Sequence, residues 1–275
     1  MTLVSRNRII RIMGIFTTVL FACIAALYAY SFFAGNFPLL EQNKRFFGNF
    51  NDFFIFSFNP YAVYIAVAAL LLYVPVCCFG MLNYFEKTQI PELLYVPLFL
   101  VSFIPESFRL LLPLFAGWQN HPNLMIFISK VILFARISAS VAMLTVAAVS
   151  TDRNDSHTSN IQFSILALCS VTVSFIPINS IQMLSTGFAA YSHYGFCLGI
   201  RLFFYAVTTV SFWLTGYKIQ SAEYKRCALN HFLLVLGELI LQECDNCPFL
   251  VLGIALLFGG TFCFYKNLHK YYMWK

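Results

Sequence analysis

Glu106 and Arg109 stand three residues apart in one apolar run, and Arg136, Arg201, His231 and Glu238 each interrupt or share another. At i and i+3 of a helix a carboxylate and a guanidinium lie on one face and can neutralise each other. Helical spacing puts Arg136 on a face with Ser129 and Ser140, and Arg201 on a face with Tyr205 and Thr208. Glu238 shares its face with His231, seven residues earlier, and with Gln242 a turn beyond. Ionisable groups inside apolar segments cost roughly 2.5–3.5 kcal/mol each on insertion scales, so they face a cavity or a partner. Counted against Glu106 and Glu238, the basic groups Arg109, Lys130, Arg136 and Arg201 are in excess by two. That excess predicts a site for an anionic ligand or a lipid headgroup, because unpaired guanidiniums seek carboxylate or phosphate. His231 and Glu238 also leave proton coupling open, and a hydrogen-bonded packing role for His231 is the plainer alternative. For Glu106 and Arg109 the plainer alternative is a self-neutralised pair locking a helix bent by Pro97, Pro105 and Pro113.

Cys244 and Cys247 make a second candidate constellation, Cys-Asp-Asn-Cys-Pro between two apolar segments. Such a pair can close a small disulfide or exchange thiols. A lone C-x-x-C supplies too few ligands for a structural zinc site, and no second pair is placed to relay electrons. The other seven of the nine cysteines lie in or beside apolar runs at no metal-binding spacing and read as small hydrophobes. No catalytic motif, metal-ligand set or cofactor fingerprint is recognisable, so enzymatic activity is left open.

The elements that must position these residues are membrane helices. Of the 275 residues 60% are hydrophobic and only 10% charged, against about a quarter charged in soluble domains. That composition, with mean hydropathy +0.76, excludes a disordered chain and a nucleic-acid partner. A bilayer core of roughly 30 Å takes about 20 apolar residues as a helix. Six runs reach that length, at 12–33, 61–82, 93–115, 124–149, 161–182 and 196–217. Two more, 228–242 and 248–265, are short and either cross or form a re-entrant hairpin. The expected fold is an all-α integral membrane protein with eight transmembrane helices, one polytopic domain over 1–275. The first run is longer than the 7–15 residues of a secretory h-region, so it reads as an uncleaved helix.

Eleven basic residues flank the spans on one side (Arg6, Arg8, Arg11, Lys87, Arg153, Lys218, Lys225, Arg226, Lys266, Lys270, Lys275), against Lys44 and Arg45 on the other. By the positive-inside rule both termini are cytoplasmic. The long outer segment, 34–60, carries Phe46, Phe47, Phe50, Phe53 and Phe54 at helical spacing, which suggests an amphipathic helix in the interface or a Phe-rich cap on the bundle. The layout looks like the membrane-embedded sensory input regions of bacterial signalling proteins, in architecture and without a matching motif. Short loops and a free-standing bundle make a bacterial inner membrane the expected setting. The expected function is ligand sensing or transport through a charged outer-half cavity lined by Glu106, Arg109, Arg136, Arg201, His231 and Glu238. Its partners would be the bilayer, a small anion or lipid, and a further membrane or cytoplasmic protein, since the loops hold no soluble domain. The alternatives are a non-catalytic subunit or scaffold and a membrane thiol oxidoreductase using Cys244 and Cys247.

Overall fold

A computed structural model describes residues 3–35, 57–88, 90, 93, 95–114, 122–151 and 158–273. The expected interfacial helix falls outside the described residues, apart from the ends of its segment. The chain runs α1 (Leu3–Phe33), α2 (Pro60–Phe85), α3 (Val96–Val101), α4 (Phe108–Leu111), α5 (Pro122–Thr151), α6 (Thr158–Ser174), β1 (Ile178–Met183), β2 (Ala189–Tyr191), α7 (Tyr194–Lys218), α8 (Ala222–Gln242) and α9 (Cys247–Met273). Among the described residues six segments are long and apolar enough to cross a membrane: α1, α2, Val96–Leu114, Pro122–Ala148, α7 and α9. The architecture is that of a multi-pass helical membrane protein.

Each element follows from local chemistry. In α1 the buried positions Arg6, Ile10, Met13, Thr17 and Ile24 fall on one 3.6-residue stripe, which lies along α2. Asn59 caps α2, its Oδ1 accepting from Tyr61 N at 3.0 Å, and Pro60 begins the helix where its missing N–H costs nothing. α8 and α9 form the most closely apposed pair. A Cβ on Gly237 would stand 2.3 Å from Leu257 N, and one on Gly260 2.7 Å from Leu234 N. Only hydrogen side chains there let the two backbones approach so closely.

Two expected helices differ from the expectation. The run 93–115 is interrupted rather than continuous: tight 3-10 turns at Ile104–Ser107 and Leu112–Leu114 flank the short α4. Pro105 and Pro113 each lack the N–H that an α-helix needs, and the chain takes the tighter turn at both. The run 161–182 ends as a helix at Ser174. Pro177 fixes its own φ and biases Ile176 toward extended backbone, so the following residues form a β-hairpin. The hairpin pairs Ile178 with Tyr191 and Asn179 with Ala190, and Gly187 turns its tip at φ +72°. In the opposite direction, the C-terminal pair that seemed short from hydropathy measures 21 and 27 residues. At 1.5 Å per residue these helices reach about 31 and 40 Å. Polar first and last turns hide that length from a reading of apolar runs.

The helix ends fall into two groups. Arg6 Nη2 donates to Phe85 O at 2.6 Å, and Lys270 Nζ lies 3.4 Å from Glu223, gathering the start of α1, the end of α2, the start of α8 and the end of α9. Ring contacts of His269 with Tyr84 and Phe85 join the two sets of ends. At the other end Asn59 N donates to Asp245 O at 2.9 Å, Tyr28 Oη to Leu110 O at 2.7 Å, and Lys130 Nζ to Ser174 O at 3.0 Å. The hairpin lies at this second end.

Candidate functional site

The ionisable residues of five segments converge near the second end of the bundle. Glu106 sits in the 3-10 turn and Arg109 in α4, and the expected pair forms, Nη1 to Oε2 at 2.8 Å. Arg136 enters from α5, about 21 Å along the helix from Pro122. Its Nε donates to Glu106 Oε1 at 2.6 Å, its Nη2 to Glu106 Oε2 at 3.2 Å and its Nη1 to Glu243 Oε1 at 2.8 Å. Glu106 therefore bridges two arginines, and Arg136 bridges two glutamates.

The hairpin tip closes over this group. Thr186 O accepts from Arg109 Nε at 3.0 Å and Nη2 at 2.5 Å. Ser185 Oγ donates to Asp245 at 3.1 Å, and Arg136 Cζ stands 4.9 Å from the centre of the Phe188 ring. Ser185, Thr186 and Phe188 are all buried.

Arg201 of α7 and Glu238 of α8 form the adjoining group. Tyr205 Oη donates to Glu238 Oε2 at 2.6 Å, and Gln242 Nε2 donates to Glu238 Oε1 at 3.0 Å. Arg201 Nη2 reaches the Gln242 side-chain oxygen, and reaches Glu238 Oε1 only at 3.5 Å. Gln242 joins the groups, since Arg136 Nη2 lies 3.4 Å from its carbonyl. His231 continues the line: Thr209 Oγ1 stands 2.9 Å from its Nδ1, and the ring is flanked by Tyr205 and Phe212. The packing reading describes that side of His231.

The sum of charge differs from the sequence count. Lys130 holds the carbonyl at the end of α6, while Glu243 and Asp245 join the network. Among the described residues, the charged side chains buried in this core are three guanidiniums, Arg109, Arg136 and Arg201, and four carboxyl groups, Glu106, Glu238, Glu243 and Asp245. Each is 5% exposed or less. The expected surplus of two positive charges becomes a surplus of one carboxyl group.

Glu243 and Asp245 are not among the residues expected to line the site, although a signal was there. Both follow the C-terminus of α8, where the helix dipole disfavours an anion, and that placement calls for a cation such as Arg136. Nothing local announces Ser185, Thr186 or Phe188 as partners of the arginines.

The three guanidiniums are not equivalent. Every nitrogen of Arg109 and of Arg136 has an acceptor. Arg201 Nε is buried with none among the described residues, as is His231 Nε2. A buried N–H without a partner costs about 1–3 kcal/mol, which native structures tolerate where a ligand or a water completes the site.

Cys244 and Cys247 carry free thiols. Cys244 is buried and its Sγ lies 3.2 Å from Asn246 O; burial pushes its pKa up to about 11, so it is a poor thiolate nucleophile. Cys247 is exposed and begins α9, with Asn59 Nδ2 donating to its sulfur at 3.2 Å. Among the described residues no group of three or more His, Cys, Asp or Glu side chains is arranged to hold a metal ion.

Compared with protein-family models, curated proteins and solved structures, the chain matches none of them.

Proposed function

We propose that this is a ligand-sensing or transport-type membrane protein whose outer-half core receives an anionic group, and that Arg201 is the point of contact. The observation that carries the reading is the division among the arginines. Arg109 and Arg136 are saturated by protein acceptors and hold the core together, whereas Arg201 keeps a buried Nε–H with no acceptor among the described residues. A guanidinium edge of this kind suits a carboxylate, sulfonate or phosphate oxygen. The chain crosses the bilayer eight times with both termini cytoplasmic. Supporting this, the basic residues Arg8, Arg11, Lys218, Lys225, Arg226, Lys266 and Lys270 gather at the end of the bundle opposite the ionic core. The core then lies in the outer half.

The saturation of Arg109 and Arg136 favours one second reading, a non-catalytic scaffold whose charges are paired off internally. Thermal unfolding of the purified protein separates the two. Methanesulfonate, or phosphatidylglycerol in mixed micelles, should raise the midpoint of the wild-type protein and leave that of Arg201→Gln unmoved. A wild-type midpoint indifferent to both probes overturns the ligand reading in favour of the scaffold.

A further inference from the structure

We infer that the core takes up its anion together with a proton, and that the Glu238 carboxylate beside Arg201 is the group that receives the proton. The inference rests on the ligand reading of Arg201 and adds a coupling to it. It starts from the arithmetic of fixed charge: four carboxyl groups and three guanidiniums, buried together. With every group ionised, the core carries one net negative charge in a region where an unbalanced charge is costly. An arriving anion would make it two. A proton bound with the anion keeps the total unchanged.

Of the four carboxyls, Glu238 is the one whose cation, Arg201, is itself the ligand contact. Glu106 accepts three guanidinium bonds, at 2.6, 2.8 and 3.2 Å, and both of its oxygens are occupied. Glu243 is held by Arg136 at 2.8 Å. Asp245 lies in the α8–α9 connection and is bonded by Ser185 and Asn246. Glu238 takes its two closest bonds from neutral donors, Tyr205 and Gln242, and its one cation stands 3.5 Å off on a nitrogen shared with Gln242. An anion at Arg201 Nε draws on the charge that now steadies Glu238. The carboxylate loses that support and accepts a proton.

The groups around Glu238 allow no simpler sink. From α7 it meets Arg201 and Tyr205, and on α8 itself Gln242 and, two turns away, His231. The third span contributes the negative charge of Glu106, and α5 contributes Arg136, already committed to Glu106 and Glu243. On the side of α9, the neighbouring Gly237 meets Gly253 and Leu257, and the Tyr73 hydroxyl of α2 is taken up by Thr261. His231 is the remaining titratable neighbour, and it separates from Glu238 by experiment.

The test uses the full-length protein in detergent with methanesulfonate, whose charge is constant across the range, and a parallel arm with phosphatidylglycerol nanodiscs to distinguish a soluble anion from a headgroup. Titration calorimetry in buffers of different ionisation enthalpy reads protons taken up per anion bound. We expect uptake approaching one proton, and affinity rising about tenfold for each unit that pH falls while Glu238 is ionised in the free protein. In Glu238→Gln both the uptake and the pH slope should vanish while binding persists. Binding without proton uptake in the wild-type protein overturns the coupling and leaves the ligand reading standing. A slope that survives in Glu238→Gln also overturns it and passes the proton to His231. Failure of both probes to bind the wild-type protein at any pH overturns the ligand reading and the coupling with it. Wild-type calorimetry decides the coupling even where the variant does not fold.

Discussion

The two ends of this bundle are held by different physics. At the end bearing Glu106, Arg136 and the hairpin, neighbouring segments are tied by ion pairs between residues far apart in sequence. At the other end, and along the α8–α9 seam, shape does the same work: glycines admit backbone contact, and Tyr73, Phe85, Phe212, Phe264 and Tyr265 interlock edge to face. The ion pairs at that end, Lys270 with Glu223 and Arg11 with Glu86, are open to solvent and contribute little, and the buried Arg6 donates to main-chain carbonyls rather than to acids. Apolar contact between helices gains little when the alternative is lipid, so close fit and hydrogen bonds must supply the specificity. The ionic end gains specificity in another way, since each charge is tolerable only in the company of its partners. Such a region has little freedom to vary in shape, yet a new ligand can shift its balance of charge.

The sharpest break in the comparison is Glu106→Ala. It strips acids from Arg109 and Arg136 together, and loss of one partner from a buried pair costs about 3–5 kcal/mol. Thermal unfolding should show the largest loss of any single change proposed here, with Glu106→Gln intermediate because the amide still accepts. Next comes Gly237→Val at the apolar seam. Its Cβ would meet Leu257 N at 2.3 Å, and the separation of α8 from α9 should cost about 1–3 kcal/mol. Gly259→Ala, with open space around its Cβ, should leave the midpoint nearly unchanged. A Gly237→Val protein as stable as wild type would show that the seam is looser than drawn.

Arg6→Ala removes two bonds to the carbonyls that end α2, Phe85 O at 2.6 Å and Thr88 O at 3.0 Å. A loss of about 1–2 kcal/mol is expected, measured by unfolding, and Arg6→Lys should recover part of it. The smallest effect concerns Cys244. With its thiol pKa pushed up by burial to about 11, it should resist maleimide in the folded protein at neutral pH, while exposed Cys247 reacts. Its reactivity should rise as pH climbs toward that value, because only the thiolate attacks. Rapid labelling of Cys244 at pH 7 would reopen the thiol-redox reading.

What could be read from the sequence was mostly what is local. The i, i+3 spacing of Glu106 and Arg109 suffices for their pair, and the apolar runs suffice for a multi-pass helical protein. The face that holds Arg201, Tyr205 and Thr208 is buried as its period implies. The hairpin was hidden because Ile178–Met183 carries no charge to end the apolar run, and Pro177 was the residue that argued otherwise. The sign of the core's charge was hidden for a different reason. Arg136 and Glu243 are 107 residues apart, and no periodicity links them. A count limited to charges inside apolar runs omits acids that fold back from a helix end.

The central claim is that Arg109 and Arg136 are structural while Arg201 faces a ligand. A density map of the protein in phosphatidylglycerol nanodiscs tests it most directly. An oxyanion is expected within about 3 Å of Arg201 Nε, with Arg109 and Arg136 still bonded to Glu106. A protein atom or a lipid alkyl chain at that nitrogen, with no anion beside it, would contradict the claim.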